Sequence, residues 1–323
     1  MVVIGGITRL TNSGLSMVEW KLIMGAIPPR TEAEWQETFA KYQQFPEYQK
    51  LNTHYTLEDF KAIFWWEYLH RLLGRLTGVG FLIPFIIFWI KGYFNKKWLL
   101  KLLILFALGG FQGFLGWFMV KSGLVDQPDV SHYRLAAHLL AAFGLFCYII
   151  WLIMDLYSPA QINIRVVRYA FMLRVILVLA LLQVMYGAFV AGLNAGLFYP
   201  TFPTMNGAWI PAAITAAWQQ NGWLSLVSDI TTVQFIHRWL GITLFGLVVG
   251  VYYIFGPSLL RIARQRLLWL VGVVSLQALL GIFTLLYQVP ILLAVAHQFV
   301  ALVFIGSLIV NLHGVRHGQP VPA

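Results

Sequence analysis

Seven long apolar runs, near residues 64–91, 98–120, 133–154, 169–191, 235–255, 267–288 and 290–312, limit what this chain can become. Each is long enough to cross roughly 30 Å of hydrocarbon as a helix rising about 1.5 Å per residue. Polar residues, prolines and glycines separate the runs. None shows the polar-apolar alternation of a membrane strand. The expected fold is therefore an all-α polytopic membrane protein. Composition agrees, with 59% hydrophobic and 11% charged residues against roughly 25% charged in ordinary soluble domains.

In such a chain the formal charge of +10 reports orientation before it reports partners. Lys91, Lys96, Lys97 and Lys101 follow the first run, Arg165 and Arg168 the third, Arg261, Arg264 and Arg266 the fifth, and Arg316 the seventh. The loop from Gly192 to Gln234 holds no Lys or Arg. The excess of basic residues in inner loops puts these clusters in the cytoplasm, or the matrix of a mitochondrion. The segments Thr8–Ile63 and Gly192–Gln234 then face outside. The basic residues are scattered and carry no RNA- or DNA-binding motif, so nucleic acid is not an expected partner. Cys147 is the one cysteine and sits in an apolar run. It reads as a small core residue, and it allows neither an internal disulfide nor a Cys-x-x-Cys-His haem attachment.

The segment Thr8–Ile63 reads mainly as solvated loop with surface helices. Thr31 and Glu34 form a Thr-x-x-Glu capping box, which starts a short helix carrying Trp35, Phe39 and Tyr42 on one side.

The chain repeats itself. HRLLG at 70–74 returns as HRWLG at 237–241, NSGL at 12–15 as NAGL at 194–197, and the histidine of LAAHLL, His138, as that of LAVAHQF, His297. The order is the same in both halves. This predicts two pseudo-symmetric four-helix bundles in one orientation, related by an axis along the membrane normal, over residues 1–155 and 165–314. Each puts one histidine on its second helix and one on its fourth. The opening helix of the second copy is 169–191, whereas the first copy has only MVVIGG, too short to span. The expectation is that the sequence begins inside that helix.

His70, His138, His237 and His297 all fall on inward-running spans at similar depth, nearer the outer face. Facing helices with histidines at one depth form a bis-histidine site, and haem iron suits it, because its axial ligands are commonly histidine and its macrocycle needs an apolar slot. Zinc fits less well for want of a third ligand. Arg71 and Arg238, directly after two of the histidines, read equally as partners of haem propionates or as interfacial anchors, and Arg9 has the first role open to it as well. Gly74 and Gly241, one turn on, admit either a flat macrocycle or a close helix neighbour. His132 reads as a loop residue, and His54, His313 and His317 as solvated.

The copies differ at one telling place. Glu67 stands three residues before His70, on the same helical face, where the second copy has Gln234. An ionisable group in an apolar helix is costly and marks a functional site. The first half would then do the chemistry and the second hold a fixed haem as electron carrier. The competing reading of Glu67 is a structural salt bridge to a nearby arginine.

The stretches GGITRLTNSGLSMVEW, GAIPP and EYLHRLLGRLTG, with His138, FIHRWLG and AHQF, resemble the haem A synthase family over nearly the whole chain. The resemblance implies an eight-helix membrane enzyme that oxidises a porphyrin methyl of haem O to the formyl group of haem A, for terminal oxidases. It implies substrate haem O between His70 and His138, resident haem b between His237 and His297, and Glu67 as the acidic residue beside the reacting methyl. Two hydroxylations and loss of water from a geminal diol would complete the reaction. The chain departs from the family in its nearly missing first helix and in lacking the outer-loop cysteine pair of some bacterial members. Its longer first loop fits the mitochondrial and proteobacterial branch. The location implied is the bacterial cytoplasmic membrane or the mitochondrial inner membrane. The partners implied are haem O, a protein or quinol electron donor, haem O synthase and a second copy of the chain. The alternatives are a di-haem membrane cytochrome passing electrons from quinol to an outside acceptor, and a haem carrier without catalysis.

Overall fold

The computed structural model describes residues 1–19, 27–124, 128–157 and 167–316. Arg165 and His317 lie outside them. The elements are helices α1 (Val2–Leu10), α2 (Glu32–Tyr42), α3 (Pro46–Lys50), α4 (Leu57–Ile90), α5 (Lys96–Gly123), α6 (His132–Tyr157), α7 (Val167–Gly192), α8 (Ala212–Asn221), α9 (Ser225–Ser228), α10 (Ile230–Phe255), α11 (Arg261–Leu286) and α12 (Ile291–Arg316). No strand occurs among the described residues beyond an isolated bridge, Met205 to Ala208. Seven helices are long and apolar enough to cross a membrane, one for each run in the sequence. They turn large apolar side chains outward, Ile90 and Leu292 each 81% exposed, as lipid contact requires. The chain is an all-α integral membrane protein.

Helix α4 starts earlier than the hydropathy implies. Its N-cap is a second capping box, in which the Thr56 hydroxyl accepts from the Asp59 amide and the Asp59 carboxylate accepts from the Thr56 amide. At 34 residues the helix is ~50 Å long, so its first turns project beyond any bilayer. Helix α2 packs on that projection, and its Thr31–Glu34 capping box is formed. Trp35 and Tyr42 are buried with Phe60, Ile63, Phe64 and Tyr68, and Phe39 packs against the cluster. The first long segment is thus less solvated than its sequence reads. It seats an aromatic cluster over the start of α4. Beneath it Tyr42 donates to Glu47 at 3.1 Å and accepts from Asn52 at 2.9 Å. Burial pushes the Glu47 carboxyl up to about 8.

The chain forms two compact units, Met1–His138 and Leu139–Ala323. In the first, α1 and α5 both pack on α4, and the Thr8 hydroxyl donates to the Ile4 and Trp66 carbonyls. In the second, α7, α10, α11 and α12 close a ring of four helices, each in contact with the next. Leu173, Ile176, Val248, Leu267, Leu270, Ile305 and Leu308 are 0–1% exposed there. In α11 and α12 the buried residues lie in the half remote from His297, whereas α7 and α10 also bury Ala188, Phe189 and Val233 on the His237 side. From 275 to 303 no residue is fully buried. Lipid tails are as apolar as leucine, so this core is held by dispersion contacts and close packing more than by release of water.

His313 departs from expectation. It is 1% exposed, pairs with Asp155 at 2.9 Å and meets the Trp151 ring edge-on at 5.0 Å. The last turns of α12 are covered, and Asp155 offers the acceptor that permits a histidine there. His54 is exposed and Cys147 half-buried.

Candidate functional site

Each of the four histidines lies against a glycine of a neighbouring helix. A Cβ on Gly5 of α1 would stand 3.1 Å from His70 Cε1. The same distance separates Gly116 of α5 from His138, and Gly187 of α7 from His237; for Gly281 of α11 and His297 it is 2.8 Å. Only a residue without Cβ lets the imidazole lie this near the backbone. His70 and His138 are close enough to interact electrostatically, as are His237 and His297. The structure therefore brings the predicted histidines together in the predicted pairs, one in each unit.

Three glutamines one turn before these glycines reach the same rings. Gln112 Nε2 lies 3.2 Å from His138 Nδ1 and donates to the His138 carbonyl at 3.0 Å. Gln183 Nε2 lies 3.4 Å from His237 Nε2 and donates to the His237 carbonyl at 2.9 Å. Gln277 Nε2 lies 3.3 Å from His297 Nε2, and its backbone carbonyl 3.1 Å from His297 Nδ1. Reading the sequence for histidines missed them. The signal was present as QGFLG, QVMYG and QALLG.

The residues fit a haem. His70 Nδ1, His237 Nδ1 and the Oε1 atoms of Gln112, Gln183 and Gln277 are buried without a hydrogen-bond partner in the protein, and buried polar groups ordinarily have one. Among the described residues no three His, Cys, Asp or Glu side chains gather to hold a metal ion. A pair of imidazoles suits a metal that brings its own equatorial ligands.

Glu67 is 2% exposed and fully engaged. Its Oε1 pairs with Arg71 at 2.6 Å, and its Oε2 accepts from the Ser16 hydroxyl at 2.7 Å and the Met17 amide at 2.8 Å. The salt bridge considered for it is present. Arg71 also donates to the carbonyls of Met17 and Glu19. In the second unit Arg238 donates to the carbonyls of Tyr199, Pro203 and Thr204, and Gln234 to Tyr199. Both arginines thus bind the segment that follows a neighbouring helix, Arg71 the one after α1 and Arg238 the one after α7. Arg238 Nε is buried without a hydrogen-bond partner among the described residues. Arg9 donates to Asn12. Gly74 faces Met1 and Gly241 faces Gln183, which favours the helix-neighbour reading of these two glycines.

The repeat extends to the backbone. Asn12 and Asn194 both take the left-handed conformation, at φ 50° and 51°, each just past the end of the helix that carries the facing glycine.

Comparison with known proteins identifies the family. The COX15-CtaA family profile, described as cytochrome oxidase assembly protein, matches residues 1–309. A protein of Bradyrhizobium diazoefficiens named haem A synthase is 46% identical over 94% of this chain and 84% of its own length. Proteins of the same name from Flavobacterium psychrophilum and Agrobacterium fabrum are each 45% identical, over 97% and 100% of this chain and 93% and 88% of their own lengths. Two histidine pairs on one repeated scaffold, and this similarity along the whole chain, place the protein in the COX15-CtaA family of cytochrome oxidase assembly proteins.

Proposed function

We propose that this chain is a haem A synthase, a membrane oxidoreductase that converts the methyl group of haem O to the formyl group of haem A. The observation that carries the reading is the unequal pair of sites, Glu67 beside His70 against Gln234 beside His237, on otherwise matching scaffolds. Residues 1–155 form the substrate half, with His70 and His138 binding the iron of haem O. Residues 165–314 form the second half, with His237 and His297 holding haem b. That resident haem supplies one-electron transfer when bound. Arg238 Nε is a donor for a propionate, and Arg71 anchors Met17 and Glu19 at the first site. Both sites lie nearer the outer face, in the bacterial cytoplasmic membrane or the mitochondrial inner membrane.

Glu67 acts as a fixed negative charge. Its two oxygens are held by Arg71, Ser16 and Met17. A proton carrier would need freedom that these contacts remove. The reacting methyl carbon loses electrons on its way to the formyl level, and a preorganised negative charge stabilises positive charge developing there without reorganisation.

The test is extraction of haems from the purified protein, with chromatography and mass detection, before and after supplying haem O, a reductant and dioxygen. Hydroxylated haem O and haem A are the expected products. Haem b alone, unchanged by the added haem O, would leave the di-haem electron-transfer cytochrome as the better reading.

A further inference from the structure

The three glutamines occupy one position in a repeated device. Gln112, Gln183 and Gln277 each stand four residues before the glycine that faces a histidine, so on their helices they lie one turn away on the same face. Each brings its side-chain amide to within 3.4 Å of a ring nitrogen. Each keeps a buried Oε1 without a partner among the described residues. The Nε2 end of each amide faces the ring, and Gln112 and Gln183 also donate to their histidine's carbonyl; turning the amide about its last bond brings the free acceptor, Oε1, to the ring. An axial histidine bound through one nitrogen needs an acceptor for the N–H on the other, which fixes the ring and raises its basicity.

The fourth histidine lacks this partner. Four residues before Gly5 stands Met1. The correspondence is local and close: the Met1 Cε lies 3.4 Å from a Cβ built on Gly74, and the Gln183 Nε2 lies 3.0 Å from one built on Gly241. Gly74 and Gly241 are each four residues past their histidines. Met1 therefore takes the place of Gln183, with a thioether in place of the amide, and among the described residues no side-chain amide lies against the His70 ring; its Nδ1 is buried without a partner, as is that of His237.

We infer that Gln112, Gln183 and Gln277 are positioning residues that hold His138, His237 and His297 as iron ligands, and that His70, which has none, is the ligand built to let go. In the second half both ligands are held, as a permanently bound haem requires. In the first half only His138 is held, as suits a haem that enters as substrate and leaves as product. The inference rests on the haem-binding part of the function proposed above and not on the oxidation.

Carbon monoxide reads ligand release directly, since it binds a reduced six-coordinate haem only after one imidazole has left. Two half-loaded proteins assign the sites: His237→Ala/His297→Ala keeps haem in the first half only, and His70→Ala/His138→Ala in the second only. The first-half haem is expected to take up carbon monoxide at least about tenfold faster than the second. Gln183→Leu should raise uptake at the second-half haem by about 10- to 100-fold, the usual effect of removing a hydrogen bond behind a metal ligand. Met1→Gln, made with an initiator methionine added ahead of it, should slow uptake at the first-half haem. Equal uptake by the two half-loaded proteins would overturn the inference, and so would unchanged uptake in a haem-retaining Gln183→Leu protein. Should Gln183→Leu fail to hold haem, Gln277→Leu makes the same test from the other ligand, and the half-loaded comparison needs no glutamine substitution. None of these measurements involves turnover. A protein that made no haem A yet showed the difference would keep this inference and lose the synthase reading, and the reverse result would do the opposite.

Discussion

His297 lies so close to the backbone of α11 that a Cβ on Gly281 would approach its Cε1 to 2.8 Å. Real Cβ contacts do not reach that distance, so Gly281→Ala must displace the imidazole or part the two helices. The expected result is loss of most second-half haem with helical content unchanged, measured by the reduced-minus-oxidised absorption spectrum beside circular dichroism. Gly246→Ala, on the same bundle with nothing near its Cβ, should retain haem.

Glu67→Gln places in the first half the residue type that the second half already carries at Gln234. The side-chain shape survives and the charge does not. Haem binding should persist while formyl formation falls by at least about a hundredfold, the scale of removing one electrostatic contact to a developing charge. Extracted haems should then show haem O accumulating. Normal haem A yield from this variant would show that the Glu67–Arg71 pair is structural only.

His237→Ala should abolish retention of the resident haem while leaving His70 and His138 able to bind theirs. The two pairs belong to separate compact units, so the measured haem-to-protein ratio should fall by about half. A ratio that fell to zero would mean that the units do not bind independently.

Glu47 gives the outer segment a pH dependence. Its buried carboxyl titrates near 8 in the folded chain, against an ordinary value of 4.5. The folded state therefore binds the proton more tightly than the unfolded one. The stabilisation is complete below about pH 4.5 and is lost as pH rises through about 8. At about 1.4 kcal/mol per pKa unit the full effect is on the order of 5 kcal/mol. Glu47→Gln, which keeps an uncharged hydrogen-bonding side chain, should flatten this slope. Thermal unfolding of the detergent-solubilised protein between pH 5 and pH 9 would show it, and an unchanged slope would place the pH dependence elsewhere.

The all-α membrane fold was readable in the sequence because it follows from a coarse regularity. Hydrophobic runs of bilayer length can only be helices, and His70 and His237 announce their equivalence through flanking residues that repeat. The facing helices were harder to read. Gln112, Gln183 and Gln277 repeat with their glycines, but nothing in one helix says which neighbour it will meet. Arg71 and Arg238 read equally as partners of haem propionates or as interfacial anchors; both also bind carbonyls of the segments after α1 and α7, and a carbonyl leaves no mark in a sequence. His313 was read as solvated from its place near the end of the last run. Asp155, far away in the chain, covers it instead. The burial of Trp35 and Tyr42 depended on α4 extending past its apolar stretch, which the Thr56–Asp59 cap directs and hydropathy conceals.

The uneven core of the second unit bears on assembly. In α11 and α12 the tightly packed residues gather around Leu270 and Leu308, away from His297, and from 275 to 303 none is fully buried. That end needs no cofactor to cohere. A newly inserted chain can fasten the four helices there and hold them in register while the other end stays loosely filled. Delivery of haem then becomes a late step, performed on a bundle already standing in the bilayer, and removal of haem should soften one end of the bundle without dissolving the other.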